Sequence, residues 1–313
     1  MHDLLAMGEL NVDIILKGIE QAPSFGHEII ADDYAECLGS STAICACVAA
    51  HLGMRTAFCG KLGDDARGAL VRTALMRYSV DMTQVHRDPC LRTGITVSMS
   101  NRTDRALVTC FCDTIDCLTA SDVDLEAFPA KHLHVGSYFL QTKLHASLPK
   151  LFQQAHSLGM TTSLDAGWDD SGLWMSTLSE VLPHTDFFFP NEKEAEQITG
   201  ASDMEQAARQ IAAYGCTAVI KLGGKGALAC MARDARCIKH KAYVTHVLDT
   251  TGAGDSFNAG FLTAFIEKKS LVDCLSYGNA AGAVSVTRIG GTTQCPSREE
   301  VEQTIINGYV KVR

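Results

Sequence analysis

Positive charge is scarce along this chain of 313 residues: 27 Lys and Arg face 36 Asp and Glu, a net charge of −9. A nucleic-acid surface needs a basic patch, so no nucleic-acid partner is expected. No stretch approaches the roughly 18 apolar residues of a membrane helix, which excludes a helical span. The start, Met1-His2-Asp3, is not basic and the first apolar run breaks at Gly8-Glu9, so no secretory leader is expected either. Thirteen cysteines are present, but only C-x-C pairs (Cys45-Ala46-Cys47, Cys110-Phe111-Cys112), with no C-x-x-C and no distant matching pair. That spacing sets aside a disulfide framework and a structural metal. Most of the cysteines lie among apolar neighbours, as in Thr109-Cys110-Phe111. They are expected to be reduced, buried small hydrophobes of a cytoplasmic protein. Internal repeats, low-complexity tracts and an interdomain linker are missing as well. So are G-x-x-x-x-G-K-[ST] and a G-x-G-x-x-G after a first strand, because Phe257 stands where Gly252-Ala253-Gly254 would need a third glycine.

What remains is the composition of a soluble globular chain, 46% hydrophobic and 20% charged, with ample length for one large core. Short β-rich runs (Leu4–Met7, Ala57–Cys59, His132–Val135, Thr161–Leu164, Phe187–Phe189, Ala218–Lys221) alternate with helical patterns such as Ala66–Arg77, Glu192–Thr199 and Met204–Tyr214. Repeated strand–helix–strand units predict an α/β fold: a mostly parallel sheet covered on both faces, with ligands at the C-terminal strand ends. Two segments break the alternation. Residues 13–38 carry β-like pieces at Ile14-Ile15-Leu16 and Glu28–Ala31. Residues 92–117 read as strands Gly94–Ser100 and Ala106–Phe111 around the turn Asn101-Arg102-Thr103-Asp104. Together they predict a small projecting sheet.

The run from Leu248 to Asn258 is the most informative. Phe257, Phe261, Ala264 and Phe265 form one helical stripe, and the small residues Gly252, Ala253 and Gly254 precede it. Bare N–H groups at a helix start form an anion hole for a phosphate, and Asp255 beside them can take a proton from a hydroxyl. A Gly-rich turn capped by Asp255 fits the same residues. Asn11 and Asp13 alternate at a strand end, so both face one side and suit sugar hydroxyls or a turn. Asn191 and Glu194 open a helix after Pro190, where capping is the plain alternative. Lys221, Gly223, Lys225 and Gly226 form a turn able to meet ATP phosphates. Trp168, between acids in Asp165-Ala166-Gly167-Trp168-Asp169-Asp170, either lines a site rim or belongs to a helix cap.

These motifs, in order, resemble the ribokinase family (PfkB-type carbohydrate kinases). Asp249-Thr250-Thr251-Gly252-Ala253-Gly254-Asp255 is similar to its D-T-x-G-A-G-D signature. Gly8–Asp13, Leu38–Ala43 with Leu52-Gly53, Gly60–Asp65 with Gly68, Pro190–Ala195 and Lys221–Gly226 resemble its other motifs, from Gly8 to about Arg298. The resemblance implies a ribokinase-like three-layer α/β/α fold in one domain, 1–313, with a β lid from segments 13–38 and 92–117. It implies ATP-dependent phosphorylation of a hydroxymethyl group on a small sugar or sugar derivative, with Asp255 as general base. A nucleoside kinase or a catalytically silent sugar-binding relative is the alternative. Asn11, Asp13, Gly39, Ser40, Ser41 and Ile44 would bind the acceptor. Here Gly-Ser-Ser replaces the usual Gly-Gly, and Ile44 stands where the family commonly has Asn, which points away from ribose. Asn191 and Glu194 would hold Mg2+ through water, Lys221, Gly223, Lys225 and Gly226 the phosphates, and Asn279 the adenine. Asp249 and Thr251, with backbone oxygens near Ser285, Arg288, Gly290 and Gln294, would hold a monovalent cation such as K+. A homodimer paired through the lid is expected, with no membrane partner.

Overall fold

The structure is a computed structural model that describes residues 1–100 and 105–311. The chain opens with β1 (His2–Met7), β2 (Asn11–Lys17), β3 (Asp33–Leu38), α1 (Ser41–His51), β4 (Thr56–Gly63), α2 (Ala66–Arg77) and β5 (Asp81–Asp88). It continues through β6 (Gly94–Ser100), β7 (Arg105–Cys110), β8 (Ala130–Val135), α3 (Thr142–His145), α4 (Leu148–Ser157), β9 (Thr161–Leu164), α5 (Met175–Val181) and β10 (Phe187–Phe188). It closes with α6 (Glu192–Thr199), α7 (Met204–Ala212), β11 (Thr217–Lys221), β12 (Ala227–Cys230), β13 (Cys237–His240), α8 (Ala253–Ile266), α9 (Leu271–Ser285) and α10 (Arg298–Asn307).

Nine strands form the main sheet in the order β13-β12-β11-β10-β9-β8-β1-β4-β5. It is parallel from β5 to β11, and two antiparallel hairpin strands, β12 and β13, finish one edge. Alternate residues of each strand enter different cores, as the period of two requires. Leu4 and Ala6, with Val219, pack under α1, α8 and α9. Leu5 and Met7, with Ala218 and Ile220, pack under α4 and α7 on the other face. The strands are therefore nearly continuous apolar runs, which is why they are visible in the sequence.

After β1 the chain crosses Gly8-Glu9-Leu10 and enters a second sheet of four strands, β3-β2-β6-β7. Its central pair β2–β6 is parallel and its outer pairs are antiparallel. The small sheet expected from residues 13–38 and 92–117 is present, with one correction. Glu28–Ala31 is not a strand. The partner of β2 is Asp33–Leu38, in register from Val12 opposite Leu38 to Lys17 opposite Asp33. There Ala35 and Cys37 turn inward while Tyr34 and Glu36 stay exposed, whereas Ile29 and Ile30 pair with no strand. The turn Asn101-Arg102-Thr103-Asp104 lies outside the described residues. Among the described residues, no helix is long and apolar enough to cross a membrane.

All thirteen cysteines are free and eight are buried, but Cys110, expected inside, is exposed on the small sheet. A two-residue period there puts Cys110 on the face away from the main body.

Candidate active site

Helix α8 starts where the main sheet meets the small one. Gly252 is its N-cap residue at φ 74°, a left-handed conformation suited to glycine, and no side chain caps the helix. Asp255 lies inside the first turn, so it is not the cap; its carboxylate accepts the Ser41 hydroxyl from the start of α1. The positive end of the helix dipole and the turn around Gly252 and Gly254 face the same space.

Beneath that turn is a buried ionic cluster. Lys221, at the end of β11, keeps only 13% of its side chain exposed and donates from Nζ to Asp165 Oδ2 at 2.5 Å. Asn258 on α8 donates to the same oxygen at 2.6 Å. A Cβ on Gly254 would lie 3.4 Å from Lys221 Nζ, so the ammonium sits directly under the turn. Burial works to raise the Asp165 carboxyl, but the Lys221 charge and the hydrogen bonds from Lys221 and Asn258 together outweigh it and hold that carboxyl below its usual range. Burial likewise works against the Lys221 charge, and Asp165 and Glu194 more than restore it. Glu194 is pushed up to about 8 by burial, reinforced by the nearby Asp165 charge. Its carboxylate accepts from the Asn191 main-chain N–H at 2.8 Å and side-chain amide at 2.6 Å, a full capping box on α6. The two readings of Asn191 and Glu194 thus coexist: the pair caps α6 and is also brought to the Lys221 cluster.

Lys225 is separated from this cluster. It forms an exposed ion pair with Glu192 at 2.8 Å, so of the two lysines assigned to phosphate only Lys221 is brought to Asp255. Gly223 and Gly224 border open space. Gly226, at φ 102°, lies so close to the chain at 240–242 that a Cβ would sit 2.0 Å from His240 O. Asn279 on α9 reaches the same stretch, donating to the carbonyls of His240 (3.1 Å) and Lys241 (3.3 Å). Gly226 and Asn279, far apart in sequence, therefore share one wall.

Asp249 ties two loops together: Oδ1 accepts from Thr251 N–H (2.9 Å) and hydroxyl (2.8 Å), and Oδ2 from Gly290 N–H (2.8 Å). The Ser285 carbonyl accepts from Arg288 N–H at 3.1 Å and the Gln294 carbonyl from the Arg288 guanidinium at 3.1 Å. Asp249 thus ties the two loops together, and of the carbonyls assigned to a monovalent cation those of Ser285 and Gln294 each accept a protein hydrogen bond.

Beside the start of α8 lies a cleft of about 180 Å³ between the small sheet and α1, with Gly252 and Asp255 in its lining. Asn11 donates to Asp13 and to Thr96, each at 3.1 Å, so the alternating pair does share one face. A Cβ on Gly39 would lie 2.2 Å from Asp13 Oδ1 and 2.6 Å from Asn11 Nδ2; any side chain there would displace both. Ser40 caps α1 through the Ala43 N–H at 3.0 Å, and Ser41 joins the cleft to Asp255. Ile44 borders the cleft but is mostly packed beneath Gly252 and Gly291. Ser98 borders it too, and its buried hydroxyl has no partner among the described residues.

Ser98 and other participants do not stand out in the sequence. Glu9, Thr96 and Ser137 line the cleft, and Asp165 holds Lys221. Asp165 stands in the stretch noticed for Trp168, and its signal was a carboxylate directly after an apolar strand. Trp168 itself is half exposed and packs edge-on against Trp174, while Asp169 accepts the N–H groups of Ser171 and Trp174. That stretch is a capped turn.

The family described as pfkB family carbohydrate kinase matches residues 1–298. Ribokinase from Haemophilus influenzae is 28% identical over 309 residues, covering 95% of this chain and 96% of its own. A 2-dehydro-3-deoxygluconokinase from Bacillus subtilis is 27% identical over 287 residues, 88% of each chain. Among solved structures, Arabidopsis thaliana ribokinase complexed with ribose and ATP superposes with a TM-score of 0.80 at 25% identity, covering 97% of this chain and 98% of its own.

Proposed function

We propose that this chain, which belongs to the pfkB family of carbohydrate kinases, transfers the γ-phosphate of ATP to a hydroxymethyl group of a small sugar or sugar derivative held in the cleft beside Asp255. The observation that carries the reading is the meeting of the uncapped start of α8 with a carboxylate held by Ser41, at the mouth of a cleft bordered by Asn11, Asp13 and Ser98.

Asp255 takes the proton of the acceptor hydroxyl as the oxygen attacks. The Ser41 hydroxyl holds the carboxylate in place for that step. The N–H groups around Gly252–Gly254, backed by Lys221, receive the charge that spreads over the transferring group. Asn11 and Asp13 orient the acceptor hydroxyls, and the wall shared by Gly226 and Asn279 borders the adenine. Mg2+ bound with ATP would neutralise phosphate charge; the Glu194 carboxylate, buried beside Asp165 and Lys221, suits a water-mediated place near it. The loop clamped by Asp249 closes with its own hydrogen bonds, and no step passes through K+. The small sheet acts as a lid over the acceptor, excluding water. Its edge strands β3 and β7 expose Tyr34, Leu107 and Val108, a surface on which two copies would pair.

One observation favours a nucleoside as the second reading: Ile44, Leu107 and Leu140 give the cleft an apolar side. The test is a coupled ADP-release screen over sugars, ketoses, sugar acids and nucleosides. Acceptor-dependent ADP release with a phosphomonoester on a primary hydroxyl is the expected result. Release without acceptor dependence contradicts the proposal.

A further inference from the structure

Glu9 occupies the three-residue link by which the chain passes from the main sheet to the small one, and only 2% of it is exposed. Its Oε1 accepts the Ser137 hydroxyl at 2.9 Å and the Ser41 N–H at 3.2 Å, and its Oε2 accepts the Thr42 hydroxyl at 3.2 Å. Its main-chain carbonyl accepts the Ser40 hydroxyl at 2.6 Å. Among the described residues, no lysine, arginine or histidine pairs with it. A buried carboxylate satisfied only by neutral donors is a costly arrangement, and structural needs alone do not call for it.

The surrounding backbone is shaped to make these contacts. Ser40 and Ser137 both adopt left-handed conformations, φ 66° and 49°, which residues with a Cβ rarely take. Such strain gathers at functional sites. Thr42 reaches Glu9 between two glycines: a Cβ on Gly8 would lie 2.2 Å from its Oγ1, and one on Gly136 2.5 Å. The ends of β1 and β8 and the start of α1 thus converge on one carboxylate. From there Ser41 completes the path, its N–H on Glu9 and its hydroxyl on Asp255.

We infer that Glu9 is a positioning residue of the acceptor site, holding Ser41 and the strained Ser137 in place and, through Ser41, orienting the carboxylate of Asp255. The inference rests on the reading of Asp255 as the base. Burial, opposed by these hydrogen bonds and reinforced by the Asp255 charge, pushes the Glu9 carboxyl up to about 7, which agrees with a group tied to the site rather than to an ion partner.

Glu9→Ala leaves three donors without an acceptor. Glu9→Gln keeps an oxygen for Ser41 and Ser137 and turns its amide toward Thr42, whose hydroxyl can accept. Both variants, Ser41→Ala and the Glu9→Ala/Ser41→Ala double variant are assayed for acceptor kcat/KM, ATP KM and thermal unfolding. With Glu9→Ala, acceptor kcat/KM falls about 10²-fold while ATP KM stays within about twofold. Glu9→Gln, which also covers the case in which the alanine variant does not fold, stays within about tenfold of wild type in kcat/KM and leaves ATP KM unmoved. The double variant loses no more than the worse single one, since both act on one path. Wild-type acceptor kcat/KM in both Glu9 variants overturns the inference, as does a loss shared equally by ATP KM and thermal stability, or single losses that multiply in the double. A wild-type protein that phosphorylates no acceptor refutes instead the kinase reading; an active wild type with indifferent Glu9 variants refutes only this one.

Discussion

At the start of α8 the polar groups are buried charges that hold one another: Lys221 against Asp165, with Glu194 close by. Across the cleft, on the small sheet, they are mostly neutral hydroxyls and an amide. Asn11 bonds Thr96, Thr96 bonds Thr109 at 3.1 Å, and Ser98 has no partner among the described residues. The first set is fixed by the ends of central strands that bury both faces. The second rides on four strands whose outer face is open to solvent. Fixed charge stabilises a transferring phosphoryl group, whatever the acceptor. Hydroxyls that gain partners only when ligand arrives discriminate between acceptors. Under the proposed function the reaction and its selectivity belong to different sheets, so substitutions in the two should fail in different ways.

The largest effect is expected in the charged half. Lys221→Met leaves Asp165 and Glu194 buried without their cation, so unfolding free energy should fall by about 3–5 kcal/mol in denaturant titration. A loss below about 1 kcal/mol would mean the cluster is not the buried network described.

In the hydroxyl half, Asp13→Asn should lower acceptor kcat/KM by roughly 10–10²-fold, the range for a hydrogen bond to a charged group, with ATP KM and stability little changed. Equal losses for ATP and acceptor would erase the distinction between the halves.

Ile44 lies at the seam, and its substitution sharpens the comparison further. Ile44→Asn supplies an amide at the cleft floor, so the kcat/KM ratio of a ribose-like sugar to the native acceptor should rise by roughly 5–150-fold, equivalent to about 1–3 kcal/mol. An unchanged ratio would show that Ile44 serves only to pack beneath Gly252 and Gly291.

The smallest effect is one of pH. Glu9 is raised to about 7 and Glu194 to about 8, chiefly by burial, so between pH 6.5 and 8 the folded chain binds more protons than the unfolded one. Stability contributed by their protonated forms is present at low pH and is lost as pH rises through those values. His134, lowered to about 4 by burial, acts in the opposite sense but only below its unfolded value near 6.5. Stability should therefore fall from pH 6.5 to 8, on the order of 1 kcal/mol. Part of that slope should vanish in Glu9→Gln. A flat profile in wild type would contradict the burial of both carboxyls.

The same division explains what could be read in advance. The parallel strands announce themselves as short apolar runs, and the stripe Phe257, Phe261, Ala264 and Phe265 marks α8. Asp255 and its glycines are contiguous, so their chemistry is visible in one glance along the chain. Glu9 and Asp165 are different: their partners, Ser137 and Lys221, lie at strand ends more than fifty residues away, and the local sign, an acid just after an apolar strand, does not name a partner. Lys221 and Lys225 belong to one turn, and only burial at the end of β11 decides which reaches the site. Ile29-Ile30 looks more strand-like than Asp33–Leu38, but the register with β2 is set by Ala35 and Cys37 turning inward. Propensity yields there to pairing.

Asp255 is where the two halves meet, and the most direct measurement is single-turnover phosphoryl transfer by Asp255→Asn, with ATP affinity measured in parallel. The substitution keeps the size of the side chain and removes the carboxylate proposed as the base. A loss of roughly 10²–10⁴-fold in the transfer rate is expected, with ATP affinity nearly unchanged. A transfer rate close to wild type on the best acceptor would contradict Asp255 as the base.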